Sequence, residues 1–226
     1  MAIAIVQRAD DEAGAGSPMA LAFGSNVASG NLLVVTTMHS YAGCAISISD
    51  TRGSTFTKRV DVVDISQGGN TYVSVWTAPV ASSGANTVTL TSSCGSFHRS
   101  SIYELSGHNA ATPYGGATGP TTNTVNPVKS GSITPTVNGS FLLSFMRNAN
   151  SSYTFTPMSG WTARYSNTFY FLQDTIQTTA ATINPEATAS ADPSTVKGLS
   201  VFINAAAGSS SIAAISSGFH VRNINR

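Results

Sequence analysis

The residues that could perform acid–base chemistry are four histidines and a small number of carboxylates. His39, His98, His108 and His220 fall at a predicted strand end, a strand start, a loop and the C-terminal segment, and Glu104 shares a predicted strand with His98. Positions six apart on an extended strand share a face but lie about 20 Å apart, which is too far to share a proton. His98 and Glu104 are therefore not expected to form a catalytic pair.

The sequence lacks the local signatures of common hydrolases and nucleotide-binding proteins. It contains no Gly-x-Ser-x-Gly elbow, no His-Glu-x-x-His and no phosphate-binding glycine loop. A glycosidase would need a second carboxylate to act with Glu104, but the 10 acidic residues lie mainly near predicted turns. We therefore expect a protein that is not an enzyme and has no catalytic residues.

Three aspartates could provide oxygen ligands for calcium. Asp50 opens a predicted turn and Asp64 closes a predicted strand that also contains Asp61, so these carboxylates could meet only if their loops share one end of the fold. Aspartate at such positions more commonly accepts hydrogen bonds from the local backbone and stabilises the turn. The turn interpretation is favoured, and no metal or other cofactor is expected.

The two cysteines, Cys44 and Cys94, allow one intramolecular disulfide. A chain of 226 residues can bury most of its apolar surface without covalent cross-links. Two free, partly buried thiols are therefore the favoured prediction, and a bond across the fold is the alternative. Cys94 and His98 have no second pair of ligands with which to complete a zinc site.

Aromatic side chains raise the possibility of carbohydrate binding, because their rings can stack on sugars. Trp76 lies in a strand pattern and is expected to belong to the core. Tyr114 and Tyr153 fall in predicted loops and are the better candidates for exposed contacts. The residues considered for such a platform are Trp76, Trp161, Tyr114, Tyr153, Tyr165 and Tyr170.

The composition argues against partners that are recognised by charge. Only 9% of the residues are charged and the net charge is +1, whereas serine, threonine, asparagine and glycine dominate the polar positions. Such a chain has no long-range field to attract nucleic acid or anionic lipid, so neither is expected as a partner. The first residues lack a basic, apolar secretory signal, which predicts assembly in the cytoplasm or prior removal of a signal.

Short runs of strand character extend over the first 204 residues, without a convincing helical period. Residues 71–90 predict a strand, a loop and a second strand with alternating burial, and residues 31–38 predict a central strand buried on both faces. Residues 45–49 and 54–63 predict a hairpin. Together these patterns predict an all-β, antiparallel two-sheet sandwich of jelly-roll or Greek-key type.

The predicted organisation is a single sandwich domain over residues 1–204, and two smaller sandwiches are the alternative. Their boundary would lie in residues 107–127, which show almost no apolar pattern and predict a long loop. Long loops in compact domains are often functional. We therefore predict an interaction surface formed by Tyr114, Asn123, Asn126 and Tyr153.

Residues 205–226 begin with an Ala/Gly/Ser linker and continue as a C-terminal segment. A frayed terminus and an arm that reaches a neighbouring subunit are both compatible with the composition. The arm interpretation rests on the apolar character of the segment, and its candidate contact residues are Ile212, Ile215, Phe219, Val221 and Arg222.

Four motifs in a fixed order resemble a family of β-sandwich modules found in bacterial extracellular proteins and in phage or prophage structural proteins. The motifs are GNLLVV at 30–35, SDTRGSTF at 49–56, WTAP at 76–79 with GANTVT at 84–89, and YELSG at 103–107. The chain departs from the family pattern at Thr51, Ser54, Phe56 and Leu105. The resemblance implies a fold and no catalytic residues, since the family has no agreed catalytic site.

Composition, predicted fold and resemblance together favour a structural virion protein, either a capsid decoration or a tail component. It would be made in the host cytoplasm and would form an oligomer with itself and other virion proteins through loops, edge strands and the C-terminal arm. The alternative is an extracellular or phage-tail module that binds carbohydrate or mediates adhesion, with glycans as its partners.

Overall fold

A computed structural model describes residues 1–11, 16–40, 44–62, 71–95, 97–148, 153–166, 169–193 and 195–207. Within these ranges the chain forms antiparallel strands and no helix. The strands are β1 (Ala4–Asp11), β2 (Met19–Ala22), β3 (Leu32–Ser40), β4 (Ile46–Asp50), β5 (Thr57–Val62), β6 (Thr71–Pro79), β7 (Thr87–Ser92), β8 (Phe97–Ser106), β9 (Tyr114–Ala117), β10 (Thr121–Asn123), β11 (Val128–Lys129), β12 (Ser140–Asn148), β13 (Phe155–Pro157), β14 (Thr162–Ser166), β15 (Tyr170–Gln177), β16 (Glu186–Ala189) and β17 (Val196–Ile203).

The strands form two large and two small sheets with a repeated topology. The first half of the chain has the orders β1-β8-β3-β6-β5 and β2-β7-β4. The second half has the orders β10-β17-β12-β15-β14 and β11-β16-β13, and β9 also pairs with β17. Each strand of the first half thus has a counterpart in the second, with β9 and β10 together occupying the position of β1.

The two large sheets face each other across a central core. Leu32 and Val34 of β3 point into this core, as do Leu143 and Phe145 of β12. Side chains alternate between the two faces of a strand, so the intervening residues point outward. They meet the small sheets: Leu33 of β3, for example, packs in a separate cluster with residues of β2 and β7.

Predictions about the character of individual strands are largely confirmed. The all-β antiparallel sandwich class is correct, and residues 32–35 are fully buried on both faces of β3. The alternating burial of β7 also matches its sequence pattern. The number of layers differs from the prediction, because each large sheet is covered on both faces and the sandwich has four sheets instead of two.

Predictions about which strands are paired were less successful. The predicted hairpin of residues 45–49 and 54–63 is wrong, because β4 pairs with β7 and β5 pairs with β6. The predicted long loop of residues 107–127 contains β9 and β10, which lie end to end along the edge of β17. The backbone donors and acceptors of β4, β9 and β10 are satisfied by strands that are distant in sequence, whereas β5 pairs with the next strand along the chain.

The N-terminal residues hold the end of the fold together. The Ile3 N–H donates to the Gly139 carbonyl at 2.9 Å, and the N-terminal ammonium donates to the Ala206 carbonyl at 2.8 Å. A Cβ atom at Gly107 or Gly139 would lie 2.3 or 2.5 Å from atoms of Ala2. Both glycines also have positive φ angles, of 74° and 81°, so larger residues are disfavoured on two grounds.

The cysteines form a disulfide, which corrects the favoured prediction of two free thiols. Cys44 precedes β4 and Cys94 follows β7, and these strands are neighbours in one small sheet. Strand pairing brings the Cα atoms within 5.5 Å although they are 50 residues apart in sequence. The separation in sequence alone contained no information about this pairing.

We expect the Cys44→Ser/Cys94→Ser double variant to lose about 4 kcal/mol of unfolding free energy, because the disulfide closes a loop of about 50 residues in the unfolded chain. Urea unfolding of oxidised protein measures the difference. Dithiothreitol is expected to destabilise the original chain and to leave the double variant unchanged. A loss below about 1 kcal/mol would contradict the prediction.

Candidate functional site

The asparagines of the predicted interaction surface form hydrogen bonds with backbone groups of the protein itself. The Asn123 amide donates to the carbonyl oxygens of Lys129 and Val196, at 2.8 and 3.2 Å, and its oxygen accepts from the Lys129 N–H at 2.9 Å. Asn126 bonds in the same way to both backbone groups of Ala189. These amides tie the segment to neighbouring strands. Contact with a partner stays a prediction.

The two tyrosines predicted to be exposed are half-buried. Tyr114 lies on β9 and packs against the central core, and burial raises its pKa, opposed by the positive charge of Arg59. Tyr153 packs against the cluster that includes Phe155. All six aromatic residues considered for carbohydrate binding are buried or half-buried. The Lys58 ammonium lies over the Trp76 ring, 5.5 Å from its centroid.

Glu104 is fully buried, and three donors surround its carboxylate. The Ala28 N–H and the Asn31 amide donate to Oε1, and the Gln7 amide donates to Oε2, each at 2.7 Å. Burial of a carboxylate is tolerated only when its oxygens are bonded in this way. Glu104 therefore fixes the loop before β3 and is not placed as a catalytic acid. His98 occupies the extra position of a β-bulge on the same strand.

Asp50 likewise stabilises a turn. Its Oδ1 accepts from the backbone N–H groups of Arg52 and Ser54, at 3.2 and 2.8 Å, and its Oδ2 accepts from the Asn86 amide at 2.9 Å. Among the described residues, no group of three or more histidine, cysteine, aspartate or glutamate side chains could hold a metal ion. Asp64, considered for calcium from the sequence, lies outside those residues.

Two of these hydrogen bonds connect the motifs that carry the family resemblance. The bond from Asn31 to Glu104 joins GNLLVV to YELSG, and the bond from Asn86 to Asp50 joins GANTVT to SDTRGSTF. Sequence reasoning had treated the motifs as separate turns and strands. In each case an asparagine in one motif donates a hydrogen bond to a carboxylate in another. The presence of these residue types in the motifs was the signal in the sequence from which the pairs could have been predicted.

A cluster of charged side chains joins the two large sheets at one edge. Arg8 on β1 forms an ion pair with Asp10, and its guanidinium also lies 3.5 Å from the Arg164 carbonyl on β14. Arg164 donates two hydrogen bonds to the buried Asp174, at 2.6 and 2.8 Å. Burial raises the pKa of Asp174, and Arg164 opposes the shift. Burial, followed by the negative charge of Asp174, raises the pKa of Tyr103.

An open groove of about 700 Å³ lies at the end of the fold where the two ends of the described chain meet. We call it the terminal groove. Val137 and Ile176 form its apolar floor and pack against the central core. Residues from the first and last described segments complete it, so that its apolar lining residues are Met1, Ala2, Val137, Ile176, Ala206 and Ala207. The other lining residues are Thr136, Asn138, Gly139 and Thr178.

The predicted arm residues come after Ala207, the last lining residue of the groove, and lie outside the described part of the chain. These residues are Ile212, Ile215, Phe219, Val221 and Arg222.

Comparison with protein-family models, curated proteins and solved structures found no match. In the described ranges, no helix is long and apolar enough to cross a membrane.

We expect Arg164→Leu to destabilise the fold by about 3–5 kcal/mol at neutral pH, because it leaves the Asp174 carboxylate buried without its cation. Removal of Arg164 raises the pKa of Asp174 further. A carboxyl group whose pKa is higher in the folded than in the unfolded state favours folding in its protonated form. This contribution is lost as the pH rises through the folded-state pKa. The loss should therefore be smaller in acid, where Asp174 is protonated. Urea unfolding at both pH values measures it.

Lys58→Leu is the matched control, because it removes an ion pair with Asp61 in which both side chains are more than two-fifths exposed. Its cost should not exceed about 1 kcal/mol. The double variant Arg164→Leu/Asp174→Leu should recover much of the lost stability. A loss for Arg164→Leu that is equal at both pH values would show that the buried carboxylate is not its source.

We expect Glu104→Gln to cost about 2–4 kcal/mol, because a carboxamide places its own N–H groups against donors that need an acceptor. Urea unfolding provides the measurement. Glu186→Gln, at a half-buried position on β16, is the control with the same chemical change. Equal stability of the two variants would contradict the structural role of Glu104.

Proposed function

We propose that the chain is a non-enzymatic structural protein of a virus particle, either a capsid decoration or a tail component. The observation that supports this most is that its buried carboxylates accept hydrogen bonds from other parts of the fold. Glu104 and Asp174 are bonded to groups that stabilise the fold, as is the partly buried Asp50. An acid or base in catalysis must instead reach a substrate proton. The arrangement of charges favours a rigid scaffold.

The edges of the first large sheet favour assembly through elements other than strand addition. The edge strand β5 carries Lys58, Arg59 and Asp61, and the edge strand β1 carries Arg8 and Asp10. Charged side chains on an edge strand discourage pairing with another chain. Edge strands were among the contact elements expected from the sequence, and the proposal now assigns the contacts mainly to loops.

The disulfide is compatible with a protein displayed on a particle. Disulfides form and persist in oxidising surroundings, which include virion and cell surfaces. The bond between Cys44 and Cys94 lies near the surface, since Cys94 is exposed. A chain made in the host cytoplasm would complete this bond after it reaches an oxidising environment. Virion localisation and an extracellular location both agree with it.

The decisive experiment is mass spectrometry of purified particles from a host that carries the gene, together with light scattering of the purified protein. We expect many copies of the chain per particle and an oligomer in solution. Recombinant protein should also bind particles that lack it. A stable monomer that binds neither capsids nor tails would overturn the proposal.

A glycan array tests the alternative of a carbohydrate-binding or adhesive module. We expect no specific signal, because the candidate aromatic rings are buried or half-buried. Tyr114→Ala is a poor probe of binding alone, since Tyr114 packs against the central core. A strong signal on the array, competed by free sugar, would favour the alternative over a structural role.

A further inference from the structure

The terminal groove is an apolar surface that the described residues leave open. Its floor is continuous with the central core through Val137 and Ile176. Met1 is one of its lining residues and is 79% exposed. The groove therefore has the character of a binding site for an apolar group.

The chain itself leads out of this groove. The Ala206 N–H donates to the Gly107 carbonyl at 2.8 Å, which fixes the backbone there, and Ala207 is a lining residue. Residues 208–211, with the sequence GSSS, come next and are followed by the apolar residues of the arm. Four extended residues span at most about 14 Å, so Ile212 remains within reach of the groove.

The segment after this linker has the chemistry that suits the groove. Residues 212–224 contain Ile212, Ile215, Phe219, Val221 and Ile224, and no acidic residue. A segment tethered by a short linker has an effective concentration in the millimolar range at a nearby site. Its own groove is therefore favoured over the groove of a second molecule in dilute solution.

We propose that the terminal groove is the docking site for the C-terminal segment, residues 212–224, of the same molecule. Docking covers Met1, Val137 and Ile176 and places apolar residues of the segment on them. Loss of water from this apolar surface is the driving force. The inference does not depend on the virion assignment, because it concerns the isolated chain.

Cross-linking of the full-length protein tests the proposal. Thr136 is an exposed lining residue of the groove, and Ser216 lies within the segment but outside its apolar set. The variant Thr136→Cys/Ser216→Cys, treated with a short bismaleimide at low protein concentration, should give an intramolecular cross-link in the monomer. Peptide mass spectrometry identifies it. Thr188→Cys/Ser216→Cys is the control, because Thr188 is exposed on β16 of an outer small sheet.

The other outcomes overturn the proposal. A cross-linked dimer would assign the groove to the segment of a second copy, and equal yields for the test and control pairs would show that the segment has no preferred site. Phe219→Ser in the test pair should lower the initial rate of cross-linking by about tenfold, because one buried aromatic side chain is removed. An unchanged rate would also contradict docking through the apolar residues.

Particle analysis tests the proposed function, and cross-linking tests the docking site, so either proposal can be refuted without the other. A chain that is absent from particles but forms the intramolecular cross-link would refute the proposed function and retain the docking site. A chain that is present in particles but gives no such cross-link would do the reverse. Thermal unfolding of each cysteine variant confirms that the fold is intact before either result is interpreted.

Discussion

The structure depends on the covering of both large sheets on both faces. A polar group in such a layer cannot reach water and must be bonded inside the protein. Ser130, which is fully buried, illustrates the solution, because its hydroxyl lies 2.8 Å from that of Ser144 and 2.7 Å from that of Ser200. The abundance of hydroxyl residues in the sequence is therefore in part a property of the interior.

The same constraint determines the roles of the carboxylates. Glu104 and Asp174 are almost completely buried, and each is bonded by groups from other strands or loops. Glu104 connects two sequence motifs within the first half of the chain. The cluster around Asp174 and Arg164 lies where the two halves meet, with Arg8 reaching across. Glu104, a candidate for chemistry in the sequence, thus holds distant segments together.

The first residues, the last described residues and the terminal groove lie together at one end of the fold. The first residues pair with Gly139 and Ala206 and so close the end at which the described chain stops. The close contacts of Gly107 and Gly139 with Ala2 leave no room for larger side chains there. An apolar groove beside this closed end, and an apolar segment that follows Ala207 in the sequence, give the proposed intramolecular docking a definite location on the molecule.

Local pattern by itself determined most strand positions, including the double burial of residues 32–35 and the alternation in β7, because side-chain orientation repeats every two residues along a strand. It also identified the apolar C-terminal segment. Pairing was decided only by the tertiary structure: the partner of β4, the disulfide from Cys44 to Cys94, and the engagement of Asn123 all join segments that are distant in sequence. Such contacts depend on which strands become neighbours within a sheet, which local periodicity does not encode.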